Sequence, residues 1–229
     1  MTTQLQLVNF VLGRMRENEV TTIAASTYSK LIAQFVNQAK QEVEDRWDWL
    51  HLRTTIAIVT VASTFRYILT GAGQRWRLLR DHSTNPVGWD VYNDTQDYNL
   101  TKAPASAWMT RQLLTQPQTG DPIWFDINGQ SGGDPQVDLY PIPPAGQTIN
   151  FNMVIPQADF TLTGTDNSTV LTVPDLPVLL RAYDLARTER GEDGSTSPTE
   201  RQKQYVDALW SAVLREMQLN TEETTASIA

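Results

Sequence analysis

The stretch "DLYPIPPAGQTINFNMVIPQADF", residues 138–160, decides how the chain is read. Pro144, Ala145 and Gly146 suit a turn, because proline presets φ before a bend and glycine accepts the exit geometry. Beyond the turn Ile149, Phe151, Met153 and Ile155 alternate with Thr148, Asn150 and Asn152, the period of a half-buried strand. The expectation is a β-hairpin, set in a chain whose two ends read as helices.

Working outward, four helices are predicted, two at each end. The first covers roughly residues 5–16, with Leu5, Val8, Leu12 and Met15 on one stripe. The second runs over about 26–48, where Tyr28, Leu31, Ile32, Phe35, Ala39 and Val43 keep the helical period for several turns. A third starts at "VPDLP" (173–177), with Asp175 as cap and Pro177 in the first turn, and ends near Gly191. It carries Leu179, Leu180, Tyr183 and Ala186. The fourth opens at "SPTE" (197–200), where Ser197 and Glu200 make a capping box around Pro198. Val206, Leu209, Trp210, Val213 and Met217 form its expected buried stripe. The short "GEDGSTS" (191–197) between them predicts an antiparallel helical hairpin. Phe35, Val43, Tyr183, Leu209 and Trp210 are the expected helical core.

Between about residues 54 and 172 the pattern shifts to period two and turn residues. "TTIAIVTVAS", "RYILT", "QRWRLL", "GWDVYN", "DPIWFDING" and "QVDLYPI" read as short strands between Gly, Asn, Asp and Pro clusters. "PASAWMTRQLL" (104–114) reads as one short helix among them. The fold class expected is α+β: an antiparallel helical bundle built from both chain ends (1–50 and 174–219) with an inserted antiparallel β-rich domain (51–173). Residues 220–229 read as a flexible C-terminal tail, since the helical stripe stops after Met217 and small polar residues follow.

Composition narrows the function classes. At 229 residues, 40% hydrophobic and 19% charged, the chain has the make-up of a globular protein. No apolar run reaches the roughly 18 residues that span a bilayer, and no secretory cleavage site follows the N-terminal stretch, so membrane and export readings are set aside. A net charge of −8 repels nucleic acid, and the basic run "RWRLLRDH" (75–82) reads as a strand with a solvated basic face. With no cysteine, disulfides, a thiolate nucleophile and Cys-based zinc sites are all excluded.

The remaining chemistry is thin. His51 and His82 are the two histidines; neither sits in a triad motif, and two imidazoles make a poor start for a metal site. Glu42, Glu44, Asp45 and Asp48 around a helix end are better read as solvated charge than as a hydrolase pair. The glycines of "TGAG" and "NGQSGGD" lack the lysine and helix context of a phosphate loop and read as turns. No catalytic residue, metal or cofactor is therefore assigned. Seven tryptophans (47, 49, 76, 89, 108, 124 and 210) leave a sugar-binding platform as a lesser alternative to ordinary packing.

The order of these features resembles that of head-to-tail adaptor proteins of tailed bacteriophages, especially short-tailed ones. The resemblance is carried by "LIAQFVNQAKQEVEDRWDWLHLRTTIAIVTV", by "RYILTGAGQRWRLLRD" and by "PIWFDINGQSGGDPQVDLYPIPPAGQTINFNMVIPQADF". "LTVPDLPVLLRAYDLARTERGED" completes it, so that it covers about residues 31–216. It implies a non-enzymatic structural subunit at the virion's head–tail junction, made in the host cytoplasm. It further implies a homo-oligomeric ring, twelvefold, joining the capsid portal protein to the tail nozzle protein and enclosing the channel through which double-stranded DNA leaves. A charge of −8 per copy, about −96 over an assumed twelve, would discourage phosphate adhesion there.

The resemblance also assigns the C-terminal segment to the portal, with Leu219 and Ile228 as apolar anchors and Asn220, Glu222 and Glu223 as polar contacts. Loops near 85–89, 93–102 and 128–134, rich in Gly, Asn and Asp, are the candidates for the nozzle side, with Asn128, Gly129, Gln130 and Asp134 named. Two alternatives stay open: a virion-associated lytic or carbohydrate-binding protein, and a head-completion protein that plugs the portal.

Overall fold

A computed structural model describes residues 2–81, 88–103, 118–165, 167–191 and 198–226. The chain is mixed α+β and divides into two compact units, one of Met1–Leu52 with Pro156–Ala229 and the other of Arg53–Ile155. The short helix expected over 104–114 lies outside the described residues.

Among the described residues the first unit holds four α-helices: α1 (Gln4–Arg14), α2 (Thr27–Glu44), α3 (Asp175–Arg190) and α4 (Pro198–Ala226). Thr3 and Gln6 form a capping box at α1, and Ser26 and Ser29 one at α2, each satisfying amides that a helix start leaves free. Leu7, Val8, Val11 and Leu12 bury the inner face of α1; Ile32, Ala33, Val36, Ala39 and Val43 do so for α2. Helix α1 packs on α2 and α3, α2 on α3, and α3 on α4. Asp175 does not cap α3. Pro174 holds the cap position, and the Asp175 carboxylate instead accepts from the Thr2 hydroxyl at 2.6 Å. At its far end α3 stops at Gly191, whose φ of 66° is the left-handed geometry a glycine cap adopts without strain. Ser197 lies outside the described residues.

Charged groups lock the helices to one another. Arg181 of α3 reaches the Glu42 carboxylate of α2 at 2.7 Å and Asp184 at 3.1 Å, and Arg201 of α4 reaches Asp184 at 2.8 Å. The hydrogen bond to Glu42 is the chief reason the Arg181 pKa stands above its ordinary value. Trp49 is buried, its indole N–H donating to the Val43 carbonyl at 2.8 Å.

Residues 156–173, read from the sequence with the β-rich part, fall in the helical unit. Local pattern does not hold them there; hydrogen bonds do. Gln4 N–H donates to the Thr169 carbonyl at 2.9 Å and Leu171 N–H to the Thr2 carbonyl at 3.0 Å. The Asn37 side chain donates to the Phe160 carbonyl at 2.8 Å and accepts from its N–H at 3.0 Å. Lys40, fully buried on α2, donates to the carbonyls of Gln157 at 2.6 Å and Ala158 at 3.2 Å and pairs with Glu44 at 3.3 Å.

The second unit is built of strands. They are β1 (Arg53–Val59), β2 (Arg66–Ile68), β3 (Arg77–Leu78), β4 (Arg80–Asp81), β5 (Gly88–Trp89), β6 (Val91–Asn93), β7 (Tyr98–Asn99), β8 (Thr101–Lys102), β9 (Trp124–Ser131), β10 (Asp134–Tyr140) and β11 (Thr148–Val154). One sheet runs β1-β11-β6-β7 with β3 also on β11, a second runs β2-β10-β9-β8, and β4 pairs β5. Among the described strands the pairings are antiparallel except β8 with β9.

The stretch that opened the reading is thus not a hairpin. Its two strands, β10 and β11, belong to different sheets, and β10 pairs with β9 instead. The connecting "PIPPAGQ" carries prolines at 141, 143 and 144, which have no N–H to give a ladder. Its remaining groups bond elsewhere: Ile142 N–H to the Gln118 carbonyl and Gly146 N–H to the Thr60 carbonyl, both at 2.9 Å. Along β11 buried Ile149, Phe151 and Met153 alternate with partly exposed Thr148, Asn150 and Asn152, the expected half-buried period. Ile149, Phe151 and Met153 meet Phe125, Val137 and Leu139 of the other sheet in one core, where Phe125 and Phe151 stand edge to face at 6.0 Å.

Candidate interaction surfaces

The surface assigned to the nozzle is the far end of the β9–β10 hairpin. Residues 128–134 are not a loop: Asn128, Gly129 and Gln130 lie in β9 and Asp134 opens β10, leaving Gly132 and Gly133 as the turn. Their φ angles of 63° and 95° explain why glycine occupies both places. Asn128, Gly129 and Gln130 are exposed. Asn128 is tied inward, its amide donating to Asp138 at 3.0 Å, while Asp138 itself pairs with Arg66 at 2.7 Å. The Asp134 carboxylate accepts from Gly71 N–H at 3.1 Å and Gly73 N–H at 2.8 Å, pinning the 71–73 turn beside the hairpin. Of the named set, Gln130 presents its side chain outward with no such tie, and Asp134 shapes the tip from below. Nearby on β9, burial raises the Asp126 carboxyl above its usual pKa, only partly offset by the Ile127 N–H and Lys102.

The other nozzle candidates fare differently. Of 85–89 the structure describes Gly88 and Trp89, which form β5; the Trp89 ring is flanked by Arg80 at 4.7 Å and Lys102 at 5.4 Å. Residues 93–102 form β6, β7 and β8 around a turn ordered by Asn93, whose side chain accepts from Thr95 and Gln96 N–H.

The surface assigned to the portal is the C-terminal end. Residues 220–226 continue α4 and do not leave it as a tail, because no glycine or proline follows Pro198 to end the helix. Loss of apolar periodicity ended the expected helix too early. Leu219 is 52% exposed; Asn220, Glu222 and Glu223 lie on this helical extension, and Ile228 lies outside the described residues.

Trp210 overturns its assignment to the core. It is 59% exposed, whereas Tyr205, Leu209 and Val213 are buried. Val206 and Leu214 are exposed as well, and at four-residue spacing the three form a row on one helix face. The helix therefore carries two adjacent apolar rows, one turned inward and one outward. That doubling is visible in the sequence as an apolar arc wider than one partner needs. Along α1, Gln6, Asn9, Phe10, Gly13 and Arg14, with Glu19 from the segment that follows, line an open groove of about 510 Å³.

Residues with potential chemistry are engaged in structure. A cavity of about 250 Å³ beside exposed His51 contains Asp175, bound to Thr2, and Glu216, which accepts from Leu50 N–H. Among the described residues no group of three or more His, Asp or Glu could hold a metal ion, and no helix is long and apolar enough to cross a membrane.

A comparison with curated proteins finds no match. Against models of protein families, residues 2–229 match the one described as SU10 adaptor protein. A match over nearly the whole chain, on a mixed α+β fold, places this protein in the SU10 adaptor family of phage head-to-tail adaptors.

Proposed function

We propose that this chain is the subunit of a non-enzymatic ring, twelvefold, that joins the capsid portal to the tail nozzle at the head–tail junction and encloses the DNA exit channel. The observation that carries the reading is the family match over residues 2–229. A helical bundle drawing on both chain ends is the body of the subunit in this reading. Its extended helix α4 leads Leu219, Asn220, Glu222, Glu223 and Ile228 toward the portal, and the hairpin tip at Asn128, Gly129, Gln130 and Asp134 meets the nozzle. A net charge of −8 per subunit suits a conduit for polyanionic DNA, which passes without sequence-specific contact.

The test is negative-stain microscopy of the protein mixed with purified portal. Rings stacked on the portal are expected; particles of bare portal at saturating protein would overturn the reading. Deleting 220–229 should keep the fold and abolish or sharply weaken portal binding, and an unchanged affinity would remove the C-terminus from the interface. Gln130→Arg should weaken nozzle attachment and spare portal binding. Equal loss of both would reverse the assigned orientation.

A further inference from the structure

Two features of the helical unit have no explanation inside one protomer. The first is the outward row of α4, with Val206 36%, Trp210 59% and Leu214 56% exposed and Met217 45% exposed beside it. Exposed tryptophan at the centre of an apolar row is the composition of an interface anchor. The second is Gly13. It lies in the last turn of α1, where glycine is a poorer helix former than alanine. A side chain there would meet nothing within 4 Å, so internal packing does not demand the small residue. Gly13 instead lowers one wall of the α1 groove, between Phe10 and Arg14.

We infer that the two fit each other between copies: the Val206–Trp210–Leu214 ridge of one chain seats in the Phe10–Gly13–Arg14 groove of the next. The inference deepens the ring reading and rests on it only in requiring that copies meet side by side. A ridge and a groove on different helices make a head-to-tail contact, the kind that closes into rings; one self-complementary patch would stop at a dimer.

Size and charge both favour a second copy as the occupant. The exposed part of the row and Met217 amounts to on the order of 400 Å² of apolar surface, close to the roughly 450 Å² of apolar area that one side of a standard interface buries. The groove, at about 510 Å³, has room for an indole. Lys203 and Asp207 flank the ridge, and Glu19 and Arg14 line the groove, so each face carries one charge of each sign. Each face therefore offers a partner to each charge of the other, so the contact adds no local like-charge clash to the repulsion between whole subunits at −8. Arg14 already lies over the Phe10 ring at 4.7 Å, and an entering Trp210 offers its guanidinium a second aromatic face.

The chain has no cysteine, which makes disulfide trapping clean. Gly13→Cys and Leu214→Cys chains would each be prepared, then mixed under mild oxidation, both free and on purified portal. The expected result is a crossed Gly13→Cys to Leu214→Cys dimer at least tenfold above either homodimer, and a ladder of multimers from the doubly substituted chain. Trp210→Glu added to the Leu214→Cys chain should reduce the crossed dimer at least tenfold, and added to the Gly13→Cys chain should leave it unchanged, with the thermal transition in place in both. Crosslinking no better than for a control cysteine at exposed Gln130, in both conditions, would overturn the inference. Predominant Leu214→Cys homodimers would also overturn it, by showing that α4 pairs with itself. Portal binding is scored separately by pull-down, so a failed crosslink with intact portal binding sinks this contact and leaves the adaptor reading standing.

Discussion

Replacing Lys40 by methionine should destabilise the helical unit by about 3–5 kcal/mol, the range for removing one partner of a buried ion pair. Lys40 and Glu44 are both fully buried. The ammonium is held by Glu44 at 3.3 Å, Asp159 at 3.4 Å and the carbonyls of Gln157 and Ala158 at 2.6 and 3.2 Å, with the Phe160 ring at 5.5 Å. Methionine fills similar volume, so the loss is electrostatic: it removes the cation from beside the buried Glu44 carboxylate, which still accepts from Gln157 N–H at 3.2 Å. For a chain of this size the loss corresponds to a fall in Tm of roughly 6–20 °C, read by far-ultraviolet circular dichroism on the helical signal. The double variant Lys40→Met/Glu44→Leu should recover most of it, leaving about 1–2 kcal/mol for the unbonded groups of residues 157 and 158. A single variant melting within 2 °C of the parent would refute the role of the clamp. A double variant as unstable as the single would show that packing, not a stranded charge, carries the effect.

Trp49→Ala should cost about 3–5 kcal/mol in chemical denaturation and Trp210→Ala under about 1, since the first side chain is 1% exposed and the second 59%; equal losses would contradict the burial assigned to them. Asp134→Ala should remove about 1–3 kcal/mol and speed amide exchange at Gly71 and Gly73, whose N–H groups it accepts; unchanged exchange at both would mean the turn holds without it. Asp126 has a raised carboxyl pKa in the fold, so the folded state binds more protons than the unfolded one just above the ordinary carboxylate range. Stability from this group therefore falls as pH rises through that window, and Asp126→Asn should flatten the decline. A steeper decline in the variant would show the sign to be wrong.

Helices were legible because their signal is local. The period along α2 and the glycine at the end of α3 need no knowledge of distant residues. Strand positions were legible for the same reason, but strand partners were not. The residues of β11 alternate as expected through Met153, yet its pairing is decided by β1 and that of β10 by β9, and three prolines deny the connection between them a ladder. Residues 156–173 carry no period at all; long-range bonds from Gln4, Asn37 and Lys40 fix them. Family membership was readable from the order of motifs along the chain. Of the surfaces, only the width of the apolar arc on α4 was legible, because an apolar residue at helical spacing looks the same whether it faces in, as Leu209 does, or out, as Trp210 does.

The helical unit is drawn from two stretches of chain separated by the whole of Arg53–Ile155, and this has a consequence for how the molecule is made. A ribosome releases α1 and α2 roughly 130 residues before α3, on the order of ten seconds at ordinary elongation rates. Throughout that interval Leu7, Val11, Ile32 and Val36 have only each other to cover them. The contiguous strand unit meets no such delay and can close as it emerges. Synthesis thus completes the inserted part first and the helical unit last, with Lys40 holding only its neighbour Glu44 until the carbonyls of residues 157 and 158 arrive.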